Sequence, residues 1–147
     1  MTRYCMTMTE KQARLVIRAL DFFSRMRMGQ FGELISLVLP VSGGDIDDYV
    51  AKRDKAARIL LDARDVLMPE LRDMHSLHGS YSVYTFDDSR AAWNVLRAIR
   101  SCIAWHNNPK GGWTVDFDKP SGDAPKCEAV EDEAHKRRTG GTSIPAT

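Results

Sequence analysis

The sequence has no excess charge of either sign, no apolar run long enough to span a membrane, and few cysteines. Its 147 residues include 21 lysines and arginines against 20 aspartates and glutamates, so no global field draws the protein to nucleic acid or to an anionic membrane. Apolar stretches such as 34–41 are far shorter than the roughly 20 residues of a membrane span. The first residues also lack the apolar segment of a signal peptide. These absences favour a protein of the cell interior whose anion site, if it has one, is a local patch.

Little in the sequence points to catalysis or to a metal. Cys5, Cys102 and Cys127 are odd in number and widely spaced, which fits neither a disulfide framework nor a zinc cluster, and we interpret them as free thiols. The serines lack the glycine-flanked turn of a hydrolase nucleophile. His75 and His78 are spaced to share a helix face, but the sequence offers no convincing third and fourth ligands. We therefore expect a non-enzymatic protein without a cofactor or a metal.

Hydrophobic periodicity predicts a mainly helical α+β domain with about four helices. Thr9 and Gln12 have the spacing of a capping box, which satisfies two backbone donors at a helix start. Apolar residues then recur at helical spacing, with interruptions at Gly29 and Pro40. The predicted helices run from Thr9 to about Met28, over 30–39, from Asp45 or Asp47 to about Met68, and from about Asp87 to a turn over 105–112.

Short alternating segments predict a small sheet. An amino-terminal strand within 3–8 is expected to pair with residues 113–117 as a two-stranded antiparallel sheet, and 81–86 suits a strand or an extended crossing segment. Proline, glycine and mixed charges then predict an extended carboxy-terminal tail. The expected organisation is one domain over 1–118 and a tail over 119–147 that is flexible unless a partner or second subunit orders it.

The segment 105–113 combines two indoles, two amides, a lysine and two glycines directly behind a helix that carries the stripe Trp93, Arg97 and Arg100. Indole faces stack on planar groups, and cations pair with phosphate or carboxylate. If this helix packs beside the first one, its arginines can converge with Arg14, Arg18 or Arg25, and such a surface suits a nucleotide. The predicted ligand-binding residues are Arg97, Arg100 and Lys110 for phosphates, Trp105 and Trp113 for the base, Asn107 and Asn108 for polar edges, and Arg25 and Gln30 from the opposite helix.

The same residues also admit a purely structural interpretation. The indoles would then fill the core beneath an ordinary turn built on asparagine, proline and glycine. The arginines would be solvated or paired with Asp21, Asp116 and Asp118. The two interpretations differ in whether the indoles are accessible and whether the cations share one surface.

A set of motifs covers the first forty residues and the stretch from about 90 to 120. They are Thr9-Glu-Lys-Gln-Ala13, Ser24-Arg25, Met28-Gly29-Gln30-Phe31, Arg97-Ala-Ile-Arg100, Trp105, Asn108-Pro-Lys-Gly-Gly112, Val115-Asp-Phe-Asp118 and Pro120. These motifs resemble a group of small uncharacterised proteins from tailed bacteriophages and prophages. Small phage proteins of this kind often act by binding, and one class counters host defence as oligomers that sequester nucleotide signals or block a defence protein.

The resemblance implies a non-enzymatic phage accessory protein in the cytoplasm of the bacterial host. Its expected role is to inhibit a defence system by sequestering a nucleotide-derived signal as a homo-oligomer. A first alternative is an inhibitor or adaptor that binds a host defence or replication protein without a small ligand. A second alternative is a nucleic-acid-binding module, which the near-neutral net charge disfavours.

Overall fold

Four α-helices follow one another in the computed structural model, which describes residues 5–39, 45–72, 81–122 and 124–130. Single 3₁₀ turns cover Pro69–Leu71 and Val115–Phe117. The helices are α1 Glu10–Arg27, α2 Gly32–Val38, α3 Ile46–Leu67 and α4 Asp87–Asn107. The prediction of a mainly helical protein is therefore confirmed. None of the helices in these ranges combines the length and apolar character that crossing a membrane requires.

Local capping chemistry explains where α1 and α3 begin. The Thr9 hydroxyl accepts from the Gln12 amide at 3.3 Å, and the Gln12 side chain accepts from the Thr9 amide at 2.9 Å, as the predicted capping box requires. Asp45 caps α3 by accepting from the Asp47 amide at 2.9 Å. The carboxy-terminal end of α4 extends to Asn107, so the first part of the predicted 105–112 turn is the last turn of this helix.

The predicted two-stranded sheet is not found within the described residues, and the strand predicted over 113–117 is wrong. This segment contains the 3₁₀ turn Val115–Phe117, in which the Phe117 amide donates to Thr114 O at 3.1 Å. The turn places the Phe117 ring edge-on against the Trp105 indole, with centroids 5.3 Å apart. Packing against the end of α4 thus replaces strand pairing.

The remaining strand predictions have different outcomes. Residues 5–9 have no regular secondary structure. Residues 3–4 of the predicted amino-terminal strand lie outside the described residues, as do His75, His78 and the tail from 131 onward. Residues 81–86 form turns and bends rather than a strand. They cross from α1 to the start of α4, and the Tyr81 amide donates to Met28 O at 3.0 Å.

The core lies where α1 and α4 pack side by side in antiparallel orientation. Near the end of α1, the buried Ser24 hydroxyl donates to Ser89 O, close to the start of α4, at 3.4 Å. Near the other end, Ile17 of α1 and Ile103 of α4 line the same groove. Leu96, in the middle of α4, is completely buried. The side-by-side packing on which the predicted site depends is therefore present.

Gly29 joins α1 to α2 at the point where the end of α3 and the turn Pro69–Leu71 pack against them. Its backbone has a φ of 84°, a conformation that side chains with a Cβ rarely adopt. The fully buried Arg64 of α3 lies beside it and donates from Nη2 to Leu71 O at 3.1 Å. The glycine thus permits both the bend and the close packing of α3.

Replacement of Gly29 by alanine is expected to lower the free energy of unfolding by about 2 kcal/mol, because left-handed backbone strain and overpacking each cost roughly 1 kcal/mol or more. The new Cβ would lie 2.6 Å from Leu71 Cδ1 and 3.1 Å from Met68 Sδ. Urea unfolding measures the loss. Gly122→Ala is the matched control, since its Cβ would meet nothing within 4 Å. Equal stabilities of the two variants would contradict this role of Gly29.

Candidate functional site

A groove of about 440 Å³ follows the line where α1 and α4 pack. Its floor is apolar, and its rim carries three guanidinium groups, one amide and one carboxylate. The apolar residues are Ile17, Ile103 and Ala104, and the polar residues are Arg14, Arg18, Arg100, Asn107 and Asp116. A mixture of an apolar floor with a few converging polar groups is typical of small-molecule sites.

A smaller recess of about 210 Å³ adjoins the groove. Arg100 and Asp116 line both spaces, so the two form one continuous surface. The recess adds Trp93 and Arg97 from α4, with Asp118 from the segment after the Val115–Phe117 turn. Four arginines and two aspartates therefore share this surface, which makes it locally cationic although the chain is nearly neutral.

Three of these arginines have carboxylate partners. Arg100 Nε lies 2.8 Å from an Asp116 carboxylate oxygen, and Arg97 Nη2 lies 3.8 Å from one of Asp118. Arg14 Nε donates to Glu10 at 2.8 Å. All these side chains are 31–64% exposed, so each pair contributes about 1 kcal/mol or less. A phosphate, which binds guanidinium in a bidentate manner, can therefore compete with these carboxylates.

Arg18 differs from the other three arginines. It is exposed on α1, and no carboxylate of the described ranges forms an ion pair with it. Its charge is therefore not locally neutralised, and it stands at the same groove as Arg100. This makes Arg18 the simplest position at which to test anion binding.

Arg25 and Gln30, predicted from the opposite helix, do not line the groove. Arg25 lies about three turns beyond Arg14 along α1, where it pairs with Asp21 at 2.9 Å and with Glu33 at 3.1 Å. Its guanidinium also donates to the Gln30 side chain at 3.1 Å. These contacts stabilise the bend between α1 and α2. The ion pair with Asp21 is the one that the structural interpretation predicted for these arginines.

The indoles predicted to stack a base are accessible, but neither lines the arginine groove or its recess. Trp113 is fully exposed, and Trp105 is 45% exposed. The structural interpretation, in which both fill the core, therefore does not describe them. Trp105 lines a different cavity, beside Cys102. The indole that lines the arginine recess is Trp93, and its place in one stripe with Arg97 and Arg100 is the sequence signal that indicates it.

The turn after α4 uses its polar groups internally. The Asn108 side-chain amide donates to Gly111 O, and the Gly111 amide donates back to Asn108 O at 2.9 Å. Gly111 has a φ of 83°, and a Cβ there would contact the Trp105 ring at 3.4 Å. Lys110 is exposed, whereas Asn107 alone among the predicted asparagines lines the groove. The structure thus brings together Arg97, Arg100 and Asn107 of the predicted set.

No protein-family model, curated protein or solved structure matches this chain. The roles of its residues must therefore be argued from the groove itself. Within the described part of the chain, no group of three or more histidine, cysteine, aspartate or glutamate residues is arranged to hold a metal ion. Of the predicted cations, Arg100 lines the groove between α1 and α4 and Arg97 lines the adjoining recess, whereas Arg25 and Lys110 line neither.

Proposed function

We propose that the protein binds a phosphate-bearing, nucleotide-like small molecule in the groove between α1 and α4 and does not transform it. The observation that carries the proposal is the meeting of Arg14 and Arg18 of α1 with Arg100 of α4 on one surface. Guanidinium groups from separate helices, set around an apolar floor, suit a ligand that has both charged and planar parts. The combined space of the groove and the recess falls within the roughly 300–1,000 Å³ of small-molecule pockets.

Each part of such a ligand has a counterpart in the surface. Phosphate oxygens take the positions of Asp116 and Asp118 opposite Arg100 and Arg97. A base or sugar lies on the apolar floor, where Asn107 supplies both a donor and an acceptor for polar edges. Trp93 offers an indole at the far side of the recess. Because the aspartates belong to one short segment, a small shift of that segment opens both arginines together.

The biological role that we propose is sequestration of a nucleotide-derived signal by a phage accessory protein in the bacterial cytoplasm. The motif resemblance to phage proteins and the cationic groove support this role. We further propose a homo-oligomer, since large apolar side chains on α2 and α3 are 53–79% exposed and association with a second copy would bury them. They are Leu37, Val38, Ile46, Ile59, Val66 and Leu67.

Isothermal titration with adenosine, AMP, ADP and a cyclic dinucleotide tests the ligand class. The phosphorylated probes are expected to bind at least about tenfold more tightly than adenosine, because charge-assisted hydrogen bonds contribute roughly 1.5–3 kcal/mol each. Arg18→Glu is expected to remove most of this preference. Arg58→Glu, which makes the same charge change on the exposed side of α3, should leave it unchanged. Equal affinity for adenosine and ADP, or no binding of any probe, would contradict the proposal.

A second candidate function is that of an inhibitor that binds a host protein. The observation that favours it is an apolar face of α1 away from α4, on which Leu15 is 65% exposed and Phe23 is 41% exposed. This function predicts that Leu15→Asp abolishes activity while Arg18→Glu retains it. The nucleotide proposal predicts the opposite order, so the two variants measured side by side distinguish the candidates.

A further inference from the structure

Two cavities lie between α4 and the segment 124–130, and one of them shares Ile103 and Asn107 with the arginine groove. One measures about 440 Å³ and the other about 270 Å³. Both are lined by Cys102 and His106 of α4 together with Cys127 and Ala129 of the segment 124–130. This segment therefore lies against α4 with two cysteines at the contact, whereas the exposed Cys5 lines neither cavity.

The thiols of Cys102 and Cys127 are free, and both residues line the same two cavities. Burial and, to a smaller extent, the neighbouring Cys102 thiol raise the pKa of the Cys127 thiol to about 11. Cys127 therefore stays protonated near neutral pH, which keeps the pair reduced and slow to react, since only a thiolate attacks a disulfide. The side chain still reaches solvent, so a small oxidant has access to it.

We propose that Cys102 and Cys127 form a modification site, at which oxidation creates an intramolecular disulfide that ties the segment 124–130 to α4. The oxidant is a low-molecular-weight disulfide such as oxidised glutathione. One cysteine thiolate attacks it and releases a first glutathione thiol, leaving a mixed disulfide. The second cysteine thiolate then attacks the protein sulfur of that mixed disulfide, forms the Cys102–Cys127 bond and releases the second glutathione thiol. The protein loses two protons and two electrons in total.

The bond would have a structural consequence beyond the two cysteines. The ring that it closes contains residues 103–126, which include the end of α4, the turn at Asn108–Gly111 and the aspartates of the arginine recess. Closing a ring of this length restricts the unfolded chain and stabilises the folded one. Lys126, next to Cys127, is exposed, so trypsin can report on whether the segment is held.

The test is to incubate the full chain with oxidised glutathione at a pH of about 9, where thiolate forms more readily, and to map its peptides by mass spectrometry. We expect a Cys102–Cys127 cross-link with the loss of two hydrogen atoms, a melting temperature raised by about 5 °C, and slower tryptic cleavage after Lys126. Dithiothreitol should reverse all three. Cys5→Ser should behave like the natural protein, and Cys127→Ser should instead retain glutathione at Cys102.

Two outcomes would overturn the inference. One is stable glutathione addition to both Cys102 and Cys127 without a cross-link, which would mean that the two sulfurs do not meet. The other is a cross-link that involves Cys5 at equal or greater yield. Neither outcome depends on ligand binding in the arginine groove, so this inference and the proposed function succeed or fail separately.

Discussion

Replacement of Leu96 by alanine is expected to lower the free energy of unfolding by about 3 kcal/mol, within the roughly 2–5 kcal/mol found when buried leucines are truncated. Leu96 is completely buried in the middle of α4, the helix that packs along α1. Removing its branched side chain forfeits the burial of apolar surface and leaves a cavity that two rigid helices cannot close. The effect is large because this helix pair carries most of the core.

Chemical unfolding with a circular dichroism readout measures the loss, and the melting temperature should fall by about 10 °C. Leu15→Ala is the matched control, since the same side chain is 65% exposed on α1 and its removal should change stability by about 0.5 kcal/mol or less. If both leucine variants lose the same stability, the contact between α1 and α4 is not the core of the protein.

Two substitutions at one ion pair are expected to change ligand affinity in opposite directions. Arg100→Gln removes a guanidinium that lines both the groove and the recess, and affinity for ADP should fall about tenfold. Asp116→Asn removes the carboxylate that competes with phosphate for Arg100, 2.8 Å away, and affinity should rise about threefold. Both substitutions remove the same ion pair, so any structural damage from its loss would change the affinity for ADP in the same direction in both variants. Opposite changes in affinity therefore cannot come from a loss of structure.

Isothermal titration measures both affinities, and thermal melting establishes that both variants fold. Because the pair is partly exposed, each variant should remain within about 1 kcal/mol of the natural protein in stability. A fall in affinity in both variants would contradict this account. It would mean that the ion pair holds the Val115–Phe117 segment in place and that this segment shapes the groove. No change in either variant would place the phosphate elsewhere.

The helices could be predicted from the sequence because their signals are local. Thr9 and Gln12 form a capping box between neighbouring residues, and Asp45 caps the helix that follows it. The strand predicted over 113–117 was wrong because an alternation of apolar and polar residues fits a strand and fits equally well a short turn whose one aromatic ring packs inward. The contact that decided between them, Phe117 against Trp105, joins two elements and leaves no local trace.

The candidate site could be predicted only in part. The spacing of Arg97 and Arg100 placed them on one face of α4, and the choice of α1 as the opposing helix agrees with the packing. The alignment of the two helices along their axes could not be read from either one. That alignment puts Arg14 and Arg18 opposite Arg100 and leaves Arg25 at the bend toward α2.

Native mass spectrometry of the protein purified from bacteria with an active nucleotide-based defence system tests the central claim most directly. We predict an oligomer in which each subunit carries a phosphorylated small molecule, and we predict that the Arg18→Glu, Arg100→Gln double variant loses this added mass while Arg58→Glu retains it. A natural protein that shows only its own mass, or the mass of a bound host polypeptide that the double variant also retains, would contradict the claim.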